Sequence, residues 1–169
     1  MDPGNSDAQS LLGQSLDKLG KTREAIEHWK QAVRVDPDQS QALFSLVRTL
    51  GALHDPEAPQ YRDRLVELQR RQQLTDRVTQ MRNFALVAGK AQDWPQAIAQ
   101  IRSVMELCGT CPQSVLLHKD LAYFYERTWK IKEAQEELEK AIALDPNDGA
   151  AQKALATLRS LRTAQPETK

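Results

Sequence analysis

Along most of this chain the apolar side chains return every three or four residues. Leu12 and Leu16 are followed by Ala25, Trp29, Ala32 and Val35, and the same rhythm carries Ala151, Leu155, Leu158 and Leu161 near the end. That spacing gives each segment one buried stripe and predicts amphipathic helices. The punctuation agrees. Gly20 reads as the left-handed C-cap of a first helix, Thr22 as the cap of a second, and Asp36-Pro37 as its stop.

The pattern then repeats. Asp36-Pro37 and Asp145-Pro146 each close a run of Ala, three residues, a large side chain, two residues and Ala: Ala25, Trp29 and Ala32 in one case, Ala134, Leu138 and Ala141 in the other. Equivalent first-helix positions are Leu12, Leu46, Phe84 and Leu121, spaced by 34, 38 and 37 residues. Periods of this size predict stacked helical hairpins whose apolar faces cover one another. The second unit is the degenerate one. It has Ala42, Leu43, Leu46 and Leu50, then a long link from His54 to Pro59, then Tyr61, Leu65 and Leu68 with no small residue where Ala25 and Ala97 sit. The third carries Phe84, Ala85 and Ala88, then Ala97, Ile101, Val104 and Leu107. The fourth carries Leu121, Ala122, Tyr125, Ala134, Leu138, Ala141 and Leu144. A ninth helix from Ala151, with Lys and Arg on its other face, reads as a solubilising cap.

Leu12-Gly13, Leu16, Ala25, Trp29, Ala32 and the closing Pro37 together resemble the tetratricopeptide repeat. The small residues let helices approach closely while Leu12, Leu16 and Trp29 fill the space beside them. The resemblance implies an all-α, right-handed superhelical array of helix-turn-helix hairpins, an α-solenoid, with a C-terminal capping helix. It divides the chain into repeats at 6–39, 40–77 (degenerate), 78–114 and 115–148, a cap at 149–162 and a tail at 163–169. It also implies a non-catalytic interaction module, with the first helix of each unit lining a concave groove that holds a peptide or a partner helix. Carried to this chain, the groove positions are Ser10, Gln14, Asp17, Phe44, Arg48, Arg82, Asn83, Leu86, Lys119, Asp120, Tyr123 and Arg127. Phe44, Arg48, Arg82, Asn83, Leu86, Lys119, Tyr123 and Arg127 are the candidates for partner contact, because aromatic and Arg side chains concentrate binding energy. Their cations suggest a partner with acidic as well as apolar side chains. The Lys, Asn, Asn, Lys, Arg clamp of chaperone-tail receptors is not matched: Ser10 and Gln14, Ser45, and Thr79 and Asn83 stand in its places.

Charge narrows the partner class. Lys and Arg number 23, Asp and Glu also 23, so the formal net charge is zero, whereas a nucleic-acid platform carries a basic excess. No apolar run reaches the length of a membrane span and no signal-peptide core follows Met1, so a soluble chain is expected, with its compartment open. No cofactor is expected. His28, His54 and His118 are far apart, and no phosphate loop, His-Glu-x-x-His or Gly-x-Ser-x-Gly is present. Glu133, Glu136, Glu137 and Glu139, interleaved with Lys132 and Lys140, read as a solvated face laced by i,i+4 pairs.

Two features stay open. Cys108-Gly109-Thr110-Cys111-Pro112 occupies extra residues of the third unit. We read it first as a structural loop with free or disulfide-linked thiols; a redox pair and a zinc site with His118 as a third ligand are the alternatives. Asp2-Pro3 lies one period before Asp36-Pro37 and looks like the closing turn of an earlier repeat, so the chain reads as a fragment of a longer protein. Self-assembly through an exposed end, where Leu11 and Leu16 would be bare, is the alternative to partner binding.

Overall fold

A computed structural model describes the backbone of residues 4–164 and the side chains up to residue 160. The expected closing turn at Asp2-Pro3, the side chain of Leu161 and the end of the tail lie outside the described residues. The fold is all-α. Among the described residues there are eight helices: α1 (Ser6–Lys18), α2 (Thr22–Val35), α3 (Ser40–Ala52), α4 (Ala58–Lys90), α5 (Trp94–Cys108), α6 (Ser114–Arg127), α7 (Ile131–Leu144) and α8 (Gly149–Ala164). The chain divides into two compact units, Met1–Gln72 and Gln73–Lys169, and the division falls within α4.

In the first unit α2 buries Ala25, Ile26, Trp29, Ala32 and Val33 against Ala42, Leu43, Leu46 and Leu50 of α3 and Ala58 and Leu68 of α4. In the second unit Val78, Ala85 and Ala88 of α4 share a core with Ala97, Ile101 and Val104, Leu117, Leu121 and Phe124, Ala134, Leu138 and Ala141. Ala151, Leu155 and Leu158 of α8 close that core. Val35 and Leu144, read as core positions from their spacing, are exposed instead. Each is the last residue of its helix, where the stripe has turned outward.

The hairpin turns are built alike. Gly20, His54, Gln92 and Trp129 all have positive φ, between 52° and 76°. After each, the next backbone N–H reaches five residues back: Lys21 to Leu16, Asp55 to Leu50, Asp93 to Ala88 and Lys130 to Tyr125, at 2.9–3.0 Å. This is the left-handed helix stop that satisfies the last carbonyls, and only the first copy uses glycine. The Asp-Pro pairs share a second device. Asp36, Asp55 and Asp145 each accept, through Oδ1, the N–H two residues on, at 3.0, 2.8 and 3.0 Å, while Pro supplies the turn's φ. Thr22 is not the cap of α2: Lys21 holds that position without a side-chain bond, and the Thr22 hydroxyl faces Asp17 at 3.4 Å.

One expectation fails in an instructive place. The repeat pattern requires a turn near 77/78, between the second unit's second helix and the third unit's first helix. Instead α4 runs unbroken for 33 residues. No Gly or Pro occurs between Pro59 and Gly89, so nothing in that stretch stops a helix.

Candidate functional site

Three of the groove-facing candidates of the second unit share one hollow, and Arg82, Lys119, Asp120 and Arg127 lie outside its lining. Asn83 and Leu86 on α4 and Tyr123 on α6 line one hollow of about 440 Å³, with Val87, Gly89, Lys90 and Phe124. Its floor depends on Gly89. A Cβ at that position would fall 2.6 Å from the Phe124 ring, so only glycine lets α4 and α6 approach this closely. Tyr123 is half exposed and held by its neighbours. It meets Trp94 edge-on with ring centres 6.4 Å apart and Phe124 at 5.7 Å, while the Arg127 guanidinium lies 5.7 Å over the Trp94 ring. Along α6 the surface continues to a smaller hollow of about 160 Å³. There Lys119 and Tyr123 face Ala150 and Ala154 of α8.

Three of the four candidate cations already hold carboxylates of this chain. Arg82 of α4 grips Asp120 of α6 with both arms of its guanidinium, Nε on one oxygen and Nη2 on the other at 3.1 Å, in a partly buried pair. Lys119 donates to Asp148 at 2.6 Å. Asp148 also accepts the N–H groups of Ala150 and Ala151 at 3.0 Å, capping α8. The Lys119 hydrogen bond first, and the backbone bonds with it, hold that carboxyl below its ordinary value. In the first unit Arg48 donates to Asp17 at 2.8 Å. The pairs join neighbouring first helices and fix the surface between them. Phe44, also in the first unit, is exposed beside a hollow of about 270 Å³ that it shares with Leu65, Leu68 and Gln69. Ser10, expected to face the groove, is buried, and its carbonyl accepts from Trp29 Nε1 at 3.2 Å.

Other features were hidden from sequence. Glu137 is buried rather than solvated, bridging His118 Nδ1 at 2.6 Å and Lys140 at 2.7 Å. The i,i+4 reading fits only Lys132 and Glu136, at 3.9 Å. His28 pairs with Gln9 at 2.7 Å. Both histidines take a partner 19 residues away, one on each helix of a hairpin, and that recurrence was the available signal. Cys108 and Cys111 form a disulfide across the α5–α6 link, where the Ser114 hydroxyl donates to the Cys111 carbonyl at 2.7 Å. Among the described residues, no group of three His, Cys, Asp or Glu side chains is arranged to hold a metal. No helix among them is long and apolar enough to cross a membrane.

Tetratricopeptide-repeat family models match residues 6–39 and 120–148, the first hairpin and most of the fourth. Both stretches are tetratricopeptide repeats. They are therefore units of a kind that characteristically serves protein–protein interaction. No curated protein matches the chain. Among solved structures, it is similar to Pseudomonas aeruginosa pilF at 18% identity, over 94% of this chain and 69% of that one, with a TM-score of 0.48. It is also similar to MamA 41-end from Desulfovibrio magneticus RS-1 at 17% identity, over 96% and 87%, with a TM-score of 0.46. YrrB, described as a TPR protein with an unusual peptide-binding site, matches at 21% identity over 90% and 75%, with a TM-score of 0.42.

Proposed function

We propose that this tetratricopeptide-repeat chain is a non-catalytic interaction module. In this reading, the α4–α6–α8 surface of its second unit takes an extended segment of a partner protein. The observation that carries the reading is the convergence of Asn83, Leu86 and Tyr123 on one open hollow floored by Phe124. A half-exposed tyrosine braced by two aromatic rings loses little freedom on binding, which favours it as an anchor. Asn83 offers the amide that orients a backbone. The partner contact is mainly apolar, because Arg82 and Lys119 are engaged by Asp120 and Asp148. Arg127 and Lys90 remain at the rim for an acidic flank.

The test is peptide display panned against the full chain, followed by titration of the enriched peptides. Replacing Leu86 by Asp or Tyr123 by Ala should weaken them by at least about tenfold, the scale of an interface anchor. Peptides that bind both variants as tightly as the parent place the site elsewhere.

A further inference from the structure

The third repeat closes on Cys111-Pro112 where the first and fourth close on Asp36-Pro37 and Asp145-Pro146. All three links fold the same backbone turn. The N–H three residues on returns to the carbonyl of the residue before proline: Gln39 to Asp36 at 3.1 Å, Ser114 to Cys111 at 3.0 Å and Asp148 to Asp145 at 3.2 Å. In two of the links Asp Oδ1 adds a side-chain bond to the turn. In the third the Ser114 hydroxyl supplies it from the other side, accepting the Cys111 N–H at 3.1 Å and donating to the Cys111 carbonyl at 2.7 Å. The turn therefore stands on hydrogen bonds that the Cys108–Cys111 disulfide does not provide.

Nor does the disulfide add much as a staple. Its cysteines stand three positions apart, and a cross-link stabilises chiefly by closing a long loop of the unfolded chain. So small a ring has its own backbone requirement. Gly109 takes φ 58° and ψ −111°, a conformation that favours glycine, although a Cβ there would meet nothing within 4 Å. Glycine is thus fitted to the ring rather than to the packing. The two cysteines also differ in access. Cys108 is 8% exposed and part of the core, with Sγ 3.6 Å from the Ser114 hydroxyl at the start of α6. Cys111 is only partly buried at the edge of that core. One sheltered and one reachable cysteine, held together by bonds that need neither sulfur, is the arrangement of a reversible exchange site.

We propose that Cys108 and Cys111 form a thiol–disulfide exchange site whose substrate is a low-molecular-weight thiol. A thiolate attacks Cys111 Sγ. A new sulfur–sulfur bond forms there as the Cys108–Cys111 bond breaks, and the electron pair leaves on Cys108 Sγ, which takes a proton from water. The Ser114 hydroxyl beside Cys108 Sγ can turn to donate to the departing sulfur. A second thiolate then attacks the small-molecule sulfur of the mixed disulfide, releasing Cys111 and a small-molecule disulfide. In sum two thiols are oxidised to one disulfide, and the protein gains two electrons and two protons. The small-molecule disulfide drives the reverse. In that direction Cys108 is the resolving thiol, kept near Cys111 because the turn holds its shape. The partner-groove residues Asn83, Leu86 and Tyr123 take no part, so the site is independent of partner binding.

Equilibrating the full chain in graded mixtures of reduced and oxidised glutathione, quenching with acid and counting alkylated thiols by mass tests this. Disulfide and dithiol forms should interconvert within the series, reach one endpoint from either side and keep the same helical circular dichroism. Three results would each overturn the proposal: a disulfide that persists in excess reduced glutathione until urea unfolds the chain, thiols that stay reduced in excess oxidised glutathione, or a reduced form that loses its helices. Single variants locate the attacked sulfur. Cys108→Ala, which leaves Cys111, should capture oxidised glutathione as a mixed disulfide several-fold faster than Cys111→Ala, which leaves Cys108. Equal rates, or the opposite order, would show that exchange does not run through Cys111. Should either variant unfold, the acid-trapped mixed disulfide of the parent chain gives the same answer: glutathione should be found on Cys111, and glutathione on Cys108 would overturn the assignment.

Discussion

Gly13 of α1 lies directly beneath the indole of Trp29. A Cβ added there would fall 2.5 Å from Nε1 and 2.6 Å from Cδ1 of the ring, while Nε1 donates to the Ser10 carbonyl one turn earlier on the same helix. Gly13→Ala should therefore destabilise the chain by about 1–3 kcal/mol through overpacking, displacing an indole that is almost fully buried. Gly51, also helical, has nothing within 4 Å of its added Cβ. Gly51→Ala should stabilise by up to about 1 kcal/mol through helix propensity alone. Urea denaturation of both variants checks the pair; equal shifts for the two would show that the close approach is not what Gly13 provides.

Ala134 gives the same test within the fourth hairpin. It is fully buried against α6, so Ala134→Leu should cost about 1–3 kcal/mol. A thermal melt that leaves the midpoint unmoved would mean that the α6–α7 approach is looser than the small-residue pattern implies.

Trp129 makes the opposite prediction. It is 77% exposed and holds φ at 60°, a conformation that costs an L-residue roughly 1–2 kcal/mol. Gly20 fills the same role in the first hairpin with φ 76°. Trp129→Gly should raise stability by about 1 kcal/mol and Gly20→Ala should lower it by a similar amount. If Trp129→Gly proves destabilising instead, the indole is packed in a way its exposure does not reveal.

Much of this was readable from the chain itself, and the unreadable parts share one cause. Helix stripes, the small residues at Gly13, Ala25 and Ala134, and the Asp-Pro turns are local signals, and the structure realises them. Positions set across hairpins were not local. Nothing beside Arg82 in sequence indicates that Asp120, 38 residues away, receives its guanidinium, nor that Asp148 receives Lys119. The candidate cations were read as groove positions free for a partner, but three of them hold carboxylates of this chain, an outcome that depends on helix register. Phe84 is the clearest case. Period placed it with Leu46 and Leu121, while the absence of any breaker between Pro59 and Gly89 argued for one long helix. The periodic signal and the missing punctuation conflicted, and local helix continuity prevailed.

The Lys119–Asp148 pair predicts a specific pH dependence. Asp148 is held below its ordinary value of 3.8, chiefly by the Lys119 hydrogen bond and next by the Ala151 N–H. A carboxyl with a depressed folded-state pKa contributes stability that is fully present above its unfolded value and disappears as pH falls through the folded one. Asp148→Asn keeps an acceptor for the α8 cap but cannot titrate or pair with Lys119. At neutral pH the parent chain should be the more stable of the two, and the gap should narrow as pH drops below 3.8. Urea midpoints of parent and variant between neutral and acid pH give this directly. A gap that stays constant through that range would mean that neither Lys119 nor the α8 N–H groups lower the Asp148 pKa on folding; a gap that widens would reverse the sign of the shift.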